Sequence, residues 1–199
     1  MFPSHIKQSI DQLSKLPEIG PRAATRLVFY LLNQDQKELV KFAELFRSLK
    51  KETKLCQQCF NITDSKNSLC SICRNRKRKK EYICVVENIL DIIPIEKTKY
   101  YPGLYHVLGG LISPPEGIGP EKIRIKELLN RLKKDSIKEV ILALNPTTEG
   151  DTTALYLEKN IIAIKKDVKV SRLGRGLSTG SDLEYIDEGT LSAALKGRR

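Results

Sequence analysis

Tyr82-Ile-Cys-Val-Val86 is a short apolar run of the kind that forms a buried strand, and it decides how the chain around it is interpreted. Two similar runs follow, Val140-Ile-Leu-Ala-Leu144 and Val168-Lys-Val-Ser-Arg-Leu173. Helical stretches separate them, from Glu121 to Lys133 and from Thr152 to Lys165. Strands that alternate with helices form a parallel sheet covered on both faces. The sequence therefore predicts an α/β domain with a mainly parallel sheet.

The N-terminal part of the chain is predicted to be helical. Its apolar residues recur with a period near 3.6, at Ile6, Ile10, Leu13 and Leu16. Residues 17–21 interrupt this pattern, which resumes over residues 23–32, and a third amphipathic run covers residues 37–49. The predicted architecture is a multidomain α/β protein that begins with a helical hairpin.

The composition is that of a folded protein without a membrane segment. Hydrophobic residues make up 40% of the 199 residues, which is enough for a core, and apolar runs such as residues 140–144 are far too short to span a bilayer. The N-terminus lacks the charged region and apolar stretch of a secretory signal. We therefore expect a cytoplasmic protein whose five cysteines do not form structural disulfides.

Positive charge is concentrated in one segment. The formal net charge is +11, and residues 50–80 contribute +8 of it, with ten basic and two acidic residues. A basic segment predicts a polyanionic partner, because each phosphate contact releases counterions. In its last part, Arg74-Asn-Arg-Lys-Arg-Lys-Lys80, we expect four residues to contact DNA: Arg74, Arg76, Lys77 and Arg78. A solvated run without a partner is the alternative.

The same segment contains two Cys-x-x-Cys pairs, Cys56-Gln-Gln-Cys59 and Cys70-Ser-Ile-Cys73, separated by ten residues. Two such pairs supply four thiolates to a tetrahedral site, and zinc is its usual occupant. Because four protein ligands leave no position for water, we expect one structural zinc per chain. The segment has little apolar periodicity, so metal binding would supply its folding free energy. Unrelated thiols or a redox pair are the alternatives.

A second candidate for DNA binding is Leu13-Ser-Lys-Leu-Pro17-Glu-Ile-Gly-Pro21-Arg-Ala-Ala-Thr-Arg26-Leu27. It resembles the helix-hairpin-helix of DNA repair proteins, in which backbone N–H groups point at a phosphate. Such contacts read no bases, so the binding would be independent of sequence. Arg22 and Arg26 lie four apart on one helical face and are expected to reach the DNA backbone. Glu18 replaces the first glycine of the usual Gly-hydrophobic-Gly turn, and an ordinary helical hairpin is the alternative.

Polar residues at the ends of two predicted strands make the α/β part resemble the Toprim domain of topoisomerases, primases and certain nucleases. Active Toprim enzymes bind Mg²⁺ with a Glu after the first strand and an Asp-x-Asp pair after a later one. The matching residues here are Glu87, Asn145 and Thr147, and neutral oxygens are poor substitutes for the carboxylates that hold magnesium. The resemblance therefore implies a non-catalytic domain. Glu149 and Asp151 could still hold a cation weakly or contact a partner, and together with Glu87 they are candidates for a partner-binding surface.

The order of these parts resembles the RecR family of bacterial recombination mediators over essentially the full chain. The segments would be a helix-hairpin-helix region at 1–53, a four-cysteine zinc finger with the basic segment at 54–80, a Toprim-like domain at 81–176 and a C-terminal tail helix at 177–199. Further matching motifs are His106-Val-Leu-Gly-Gly110, Ser113-Pro-Pro-Glu-Gly-Ile-Gly-Pro120, Asn145-Pro-Thr, Arg172-Leu-Gly-Arg-Gly176, Gly180-Ser-Asp-Leu-Glu-Tyr185 and Gly197-Arg-Arg199.

The resemblance implies an architectural role in recombinational DNA repair. Proteins of this kind form ring-shaped tetramers whose hole can accommodate DNA. They act with RecO and RecF to help RecA replace single-strand-binding protein on single-stranded gaps. Such a protein would be no enzyme, with Arg22 and Arg26 facing the DNA and the acidic Toprim residues as the candidate RecO contact.

Two other classes of function remain as alternatives. A metal-dependent Toprim nuclease or topoisomerase is disfavoured by the missing aspartates and by the lack of any further catalytic domain in the chain. A zinc-dependent RNA-binding module agrees with the charge but leaves the Toprim strands unexplained. The isolated His5 and His106 are interpreted as surface or packing residues, and Cys84 as a small buried hydrophobe.

Overall fold

The computed structural model describes residues 2–198, so Met1 and Arg199, the last residue of the predicted tail, lie outside the described residues. The chain divides into two compact units, Met1–Thr53 and Lys54–Arg199. The N-terminal unit contains three helices, α1 (Ser4–Leu13), α2 (Pro21–Leu32) and α3 (Gln36–Glu52). Helices α1 and α2 pack together, and Pro21 occupies the first turn of α2, where its missing N–H costs nothing. The predicted helical hairpin is confirmed.

The second unit begins with residues 54–80, the cysteine segment. Its regular structure is limited to strands β1 (Thr53–Leu55) and β2 (Ile62–Asp64), which pair, and the single turn of α4 (Ser71–Arg74). The only side chains in its buried cluster, among the described residues, are the four cysteines, with Leu69 and Ile72 packed against them. Such a small apolar cluster does not account for the order of the segment.

A four-stranded parallel sheet forms the body of this unit. Its strands are β3 (Tyr82–Val86), β4 (Leu104–Val107), β5 (Glu139–Ala143) and β6 (Lys169–Arg172), in the order β4-β3-β5-β6. The register pairs Cys84 with Tyr105 on one side and with Ile141 on the other. The α/β fold class with a parallel sheet is therefore confirmed.

The two faces of the sheet are covered by different structures. Ile83, Val85 and Val140 point to the face covered by α6 (Ile125–Lys134) and α7 (Thr148–Ile164). The alternate residues, including Cys84 and Val86, point to the other face. There the short helix α5 (Ile92–Lys97) and two residues of the cysteine segment, Phe60 and Ile72, supply the cover. The cysteine segment thus performs the packing role that a crossover helix performs in other parallel sheets.

Several boundaries differ from the sequence prediction. Strand β4 was not predicted, although all four of its residues are buried. Helix α6 begins at Ile125 rather than Glu121, because the backbone of Arg124 bonds to Leu108. The third predicted strand is shorter, ending at Arg172 instead of Leu173. In the predicted tail helix, only α8 (Glu188–Lys196) is α-helical among the described residues.

Helix α7 begins earlier than predicted, at Thr148 rather than Thr152. The Thr147 hydroxyl caps it by accepting a hydrogen bond from the Gly150 N–H at 3.1 Å. A Cβ on Gly150 would lie 2.0 Å from the carbonyl oxygen of Asn145. Only glycine at this position lets the first turn of α7 pack so closely against the end of β5, which fixes the loop of the Toprim residues.

Candidate zinc centre, DNA-binding residues and Toprim site

The four predicted ligands of the cysteine segment come together. The sulfur atoms of Cys56, Cys59, Cys70 and Cys73 all lie within 4.8 Å of one another, and the four residues are buried. The Sγ atoms of Cys59 and Cys70 are 3.5 Å apart. Four Zn–S bonds of about 2.3 Å in a tetrahedron place the sulfurs roughly 3.8 Å apart. The donor set and its spacing therefore suit a metal ion with four thiolate ligands.

The electrostatics of the four-cysteine cluster favour a bound cation. Hydrogen bonds from Cys59 and Cys73 lower the pKa of the Cys70 thiol, and its sulfur also caps α4 through the Cys73 N–H. The presence of Cys70 in turn raises the pKa of the Cys59 thiol, and Cys59 and Cys70 together raise that of Cys73. Four adjacent buried thiolates repel one another, so they can be deprotonated together only around a metal ion.

Beside the cluster, Cys59 and Phe60 contact the sheet and the residues next to it. The Val107 N–H donates to the Cys59 carbonyl at 2.9 Å, and the Phe60 ring packs edge-on against His106 with centroids 5.4 Å apart. The guanidinium of Arg124 lies 5.0 Å from the centre of the Phe60 ring. Phe60 adopts a left-handed backbone conformation with φ 63°, which aims its side chain at this contact. The position of the four cysteines is thus coupled to the sheet through Phe60.

His106 is a fully buried packing residue rather than a surface group. Its Nε2 lies 2.8 Å from the Arg124 carbonyl oxygen, and its Nδ1 has no hydrogen-bond partner among the described residues. Burial lowers the pKa of His106 to about 4, and the nearby charges of Arg131 and Arg124 act in the same direction. Cys84 is buried as predicted, and burial raises its thiol pKa to about 12. Both residues serve the packing around β3 and β4.

The predicted basic surface keeps three of its four named residues. Arg74, Arg76 and Lys77 are exposed, with Arg74 donating a hydrogen bond to the Asn67 side chain at 3.0 Å. The fourth prediction needs a correction, because the Arg78 side chain is only 16% exposed and forms an ion pair with Glu96. Arg78 also donates to the carbonyl oxygens of Tyr101 and Gly103.

This bonding gives Arg78 a structural role, because its guanidinium already binds Glu96 and two carbonyl oxygens. Its hydrogen bond with Glu96 raises the pKa of the Arg78 guanidinium. Burial opposes ionisation of Glu96, yet hydrogen bonds from Arg78 and Tyr105 hold the Glu96 pKa below its usual value. The sequence run of arginines and lysines gave no indication of this partner, which lies 18 residues away.

The predicted hairpin residues Arg22 and Arg26 lie in the N-terminal unit. Arg22 and Arg26 are exposed and lie one turn apart at the start of α2. The turn before them contains Glu18, whose φ of 62° is in the left-handed region that favours glycine. The backbone is therefore that of the glycine turn, held here by a residue with a side chain.

The Toprim residues Glu87 and Asn145 meet at the carboxyl ends of β3 and β5. The Asn145 side-chain amide donates a hydrogen bond to the Glu87 carboxylate at 3.1 Å. Thr147, at the second aspartate position, uses its hydroxyl to cap α7. The Asn145 amide competes with a cation for one oxygen of Glu87, the one carboxylate among the three positions, and the other two positions offer only neutral oxygens.

The remaining predicted acidic residues lie in the first turn of α7. Asp151 is paired with Arg175 and lies 3.6 Å from Arg172, which also binds Glu158 at 3.2 Å. Glu149 has no salt-bridge partner among the described residues. The sequence prediction did not include the two arginines, although both belong to the Arg172-Leu-Gly-Arg-Gly176 motif.

None of the described helices is long and apolar enough to cross a membrane.

Known proteins show the same organisation. Residues 6–49 match the family profile "RecR, helix-hairpin-helix", residues 81–174 match "Toprim domain", and residues 176–199 match "RecR, C-terminal". The chain is 49% identical to "Recombination protein RecR" of Herpetosiphon aurantiacus, over 99% of this chain and 95% of the relative. Proteins of that name from Staphylococcus saprophyticus and Staphylococcus aureus are 47% identical, over 99% of this chain and 98% of theirs.

These similarities define the class first: the chain is a recombination protein that combines a helix-hairpin-helix, a four-cysteine cluster and a Toprim domain with a depleted acidic site. Within that class, the chain belongs to the RecR family of recombination proteins. Its role is therefore in recombination and DNA repair, and the comparisons indicate no enzymatic activity.

Proposed function

We propose that this chain is a non-catalytic, zinc-containing DNA clamp that mediates recombination in the bacterial cytoplasm. It acts with RecO and RecF to help RecA assemble on single-stranded gaps. The observation that carries the proposal is the bonding of the Toprim residues, in which Asn145 donates to Glu87 and two arginines surround Asp151. Because Glu87 and Asp151 already bind these side chains, too few free carboxylates are left to hold a catalytic metal.

DNA binding by the clamp rests on exposed cations. Arg22 and Arg26 supply the hairpin contacts, and Arg74, Arg76 and Lys77 supply those of the cysteine segment. Long cationic side chains that reach the backbone contact phosphates, so the binding is independent of sequence and sensitive to salt. The four cysteines hold one zinc ion whose role is to order residues 54–80. The chain then has four functional segments: the hairpin region 1–53, the zinc-binding segment 54–80, the Toprim-like domain 81–176 and the C-terminal tail 177–199.

Assembly into a ring is supported by the apolar surface of the N-terminal unit. Five large side chains of α3 are between 48% and 61% exposed: Val40, Phe42, Leu45, Phe46 and Leu49. Ala24 and Val28 are the fully buried side chains of the unit's helices, so its three helices contain more apolar surface than they bury. A surface of this kind is covered by another protein chain in a stable assembly, and further copies complete a tetramer.

The contact with RecO is assigned to the acidic remnant of the Toprim site. Glu87 and Glu149 are half-buried at the carboxyl end of the sheet, where ligands and partners of parallel sheets bind. Asp151 contributes through its arginine partners: an acidic group on RecO would compete with Asp151 for Arg172 and Arg175, and a basic group would compete with the arginines for Asp151. Glu149→Lys should weaken binding of RecO while leaving zinc content and DNA affinity unchanged.

The direct test is RecA assembly on single-stranded DNA that is covered with single-strand-binding protein. Addition of this chain together with RecO should accelerate assembly, and the double variant Arg22→Ala, Arg26→Ala should not. Zinc-replete protein should neither cleave nor relax plasmid DNA in the presence of Mg²⁺. Cleavage that disappears in Glu87→Ala would show that the chain is a Toprim enzyme instead.

The hairpin contribution is measured by a salt titration. Loss of two phosphate contacts in the arginine double variant should flatten the dependence of binding on salt by about two units and weaken binding equally on unrelated sequences. Competition between DNA and RNA separates this function from that of an RNA-binding module. Unchanged affinity and salt dependence in the variant would mean that the hairpin only packs.

A further inference from the structure

An aromatic side chain stands out from the surface beside the cysteine segment. Tyr100 is 91% exposed, more than any other large apolar or aromatic side chain of the described residues. Its loop is ordered by hydrogen bonds, from the Lys99 N–H to the Glu96 carbonyl at 3.1 Å and from the Tyr100 N–H to the Thr98 hydroxyl at 3.2 Å. Lys99 has a left-handed backbone with φ 56°, which turns the chain so that Tyr100 follows directly. Tyr100 is thus presented by a built loop.

The loop of Tyr100 is joined to the basic run of the cysteine segment. Arg78 forms its ion pair with Glu96, at the start of the loop, and donates to the carbonyl oxygens of Tyr101 and Gly103 at 3.0 and 3.3 Å. The next residue in the run, Lys79, donates its backbone N–H to the Pro102 carbonyl at 3.0 Å. The residue that was expected to bind DNA therefore positions two surface segments side by side.

Exposed lysines belong to both of the segments that Arg78 and Lys79 join. Lys77 and Lys79 of the basic run, Lys97 at the end of α5 and Lys99 in the loop are all exposed. Glu96, in the last turn of α5, is paired with Arg78, and Asp151, which lines a cavity together with Tyr100, is paired with Arg175. The four lysines can contact a phosphate backbone, and the exposed aromatic face can in addition contact a base.

We propose that Tyr100 is a base-stacking residue for single-stranded DNA, on a surface whose phosphate contacts come from Lys77, Lys79, Lys97 and Lys99. The bases of a single strand are free to stack on an aromatic ring while lysines follow its backbone. In a duplex the bases are already stacked, so Tyr100 has no face to pair with. This inference rests on the proposed DNA binding and adds to it a preference for single strands, the form of DNA found at a gap.

The chain offers a direct optical test because it contains no tryptophan. Full-length, zinc-replete Tyr100→Trp carries a single indole at the proposed site, and an oligo(dT) strand should quench its fluorescence by stacking. The matched control is Tyr185→Trp, at a position that is 83% exposed. Its emission should change little. A duplex of equal length should bind both proteins without quenching Tyr100→Trp.

Affinity measurements complete the test. Tyr100→Ala should weaken single-strand binding by about fivefold or more and leave duplex binding unchanged, and Tyr100→Phe should retain wild-type affinity. If single strands bind but Tyr100→Trp is not quenched, the stacking inference is wrong and the proposed function stands. Stronger quenching by RNA than by DNA would overturn the assignment of the ligand. If wild type binds neither form of DNA, the proposed function itself fails, and this inference with it.

Discussion

The cysteine segment and the parallel sheet lie against each other but are ordered by different interactions. The sheet has a core cluster of fifteen buried residues on one face alone, whereas the cysteine segment buries four cysteines and little else. Apolar burial therefore accounts for the first region and cannot account for the second. A segment with almost no apolar core of its own therefore serves as one of the covering layers of the sheet, since Phe60 and Ile72 pack on β3 and β4.

The largest expected effect comes from removing a ligand. Cys59→Ser should reduce bound zinc from one equivalent to well below one, because the metal contributes on the order of 10 kcal/mol to the folding of such a segment. Hydrogen exchange should then accelerate throughout residues 54–80, while the amides of β3 and β5 stay protected. Metal analysis and exchange mass spectrometry on the same sample measure both.

The matched control for this change is Cys84→Ala, which alters the one cysteine outside the cluster. It should keep one zinc per chain. If Cys59→Ser also retained a full equivalent, or if the sheet lost protection together with the cysteine segment, the two regions would not be ordered independently.

The converse substitution tests the sheet. Leu157 is fully buried in α7, and Leu157→Ala should lower the free energy of unfolding of the C-terminal unit by about 2–5 kcal/mol through the cavity it leaves. Zinc content per folded chain should remain one. Leu155→Ala, on the same helix but 60% exposed, should change stability by less than about 0.5 kcal/mol in urea titrations. Equal effects from the two leucines would contradict the core assignment.

The junction between the regions should make stability depend on pH. Burial lowers the pKa of His106 from 6.5 to about 4, so the unfolded chain takes up this proton at a higher pH than the folded one. Stability should therefore decrease as the pH falls from 6.5 to about 4, by about 3 kcal/mol in all, and the contribution of His106 should be constant below that. Urea titrations between pH 7 and pH 4 measure the slope.

The comparison protein for this slope is His106→Gln, which cannot titrate there. Protonation of the thiolates affects both proteins, so the difference between them isolates His106. If the two slopes were identical, the imidazole would not stay neutral in the folded state.

Sequence pattern predicted three of the four strands, two as continuous apolar runs and the third from the alternation that begins Val168-Lys-Val170. Strand β4 was missed because its central residues are Tyr105 and His106, whose burial depends on cover from Phe60 and Arg124 elsewhere in the chain. The same limit applies to Arg78. A run of basic residues predicts positive charge. It does not predict that Arg78 pairs with Glu96, because no local sequence pattern indicates that partner.

The zinc ligands and the Toprim residues were predictable because their spacing in the sequence determines which side chains come together. Two Cys-x-x-Cys pairs determine a four-sulfur cluster whatever surrounds them, and the residues after strands in a parallel sheet meet at one edge. Arg172 and Arg175 could have been found from their motif, but their pairing with Asp151 depends on how β6 lies beside α7. Contacts set by tertiary packing are those that the sequence alone does not determine.

The smallest expected effect concerns two residues that share a left-handed backbone, Phe60 in the cysteine segment and Glu18 in the hairpin turn. The ring of Phe60 offsets its backbone strain by packing on His106 and Arg124, whereas the Glu18 side chain is exposed. Phe60→Gly should therefore destabilise its unit by about 2 kcal/mol, because the lost packing exceeds the relieved strain.

Glu18→Gly should stabilise the N-terminal unit by up to about 1 kcal/mol. It should also strengthen DNA binding, since a carboxylate near a phosphate is removed. Thermal unfolding and a salt titration of binding measure the two effects, and Glu18→Gln separates them, because it removes the charge but keeps the strain. If Glu18→Gln strengthened binding as much as Glu18→Gly did, charge alone would weaken the hairpin's hold on DNA; if neither variant changed binding, the turn would not face a phosphate.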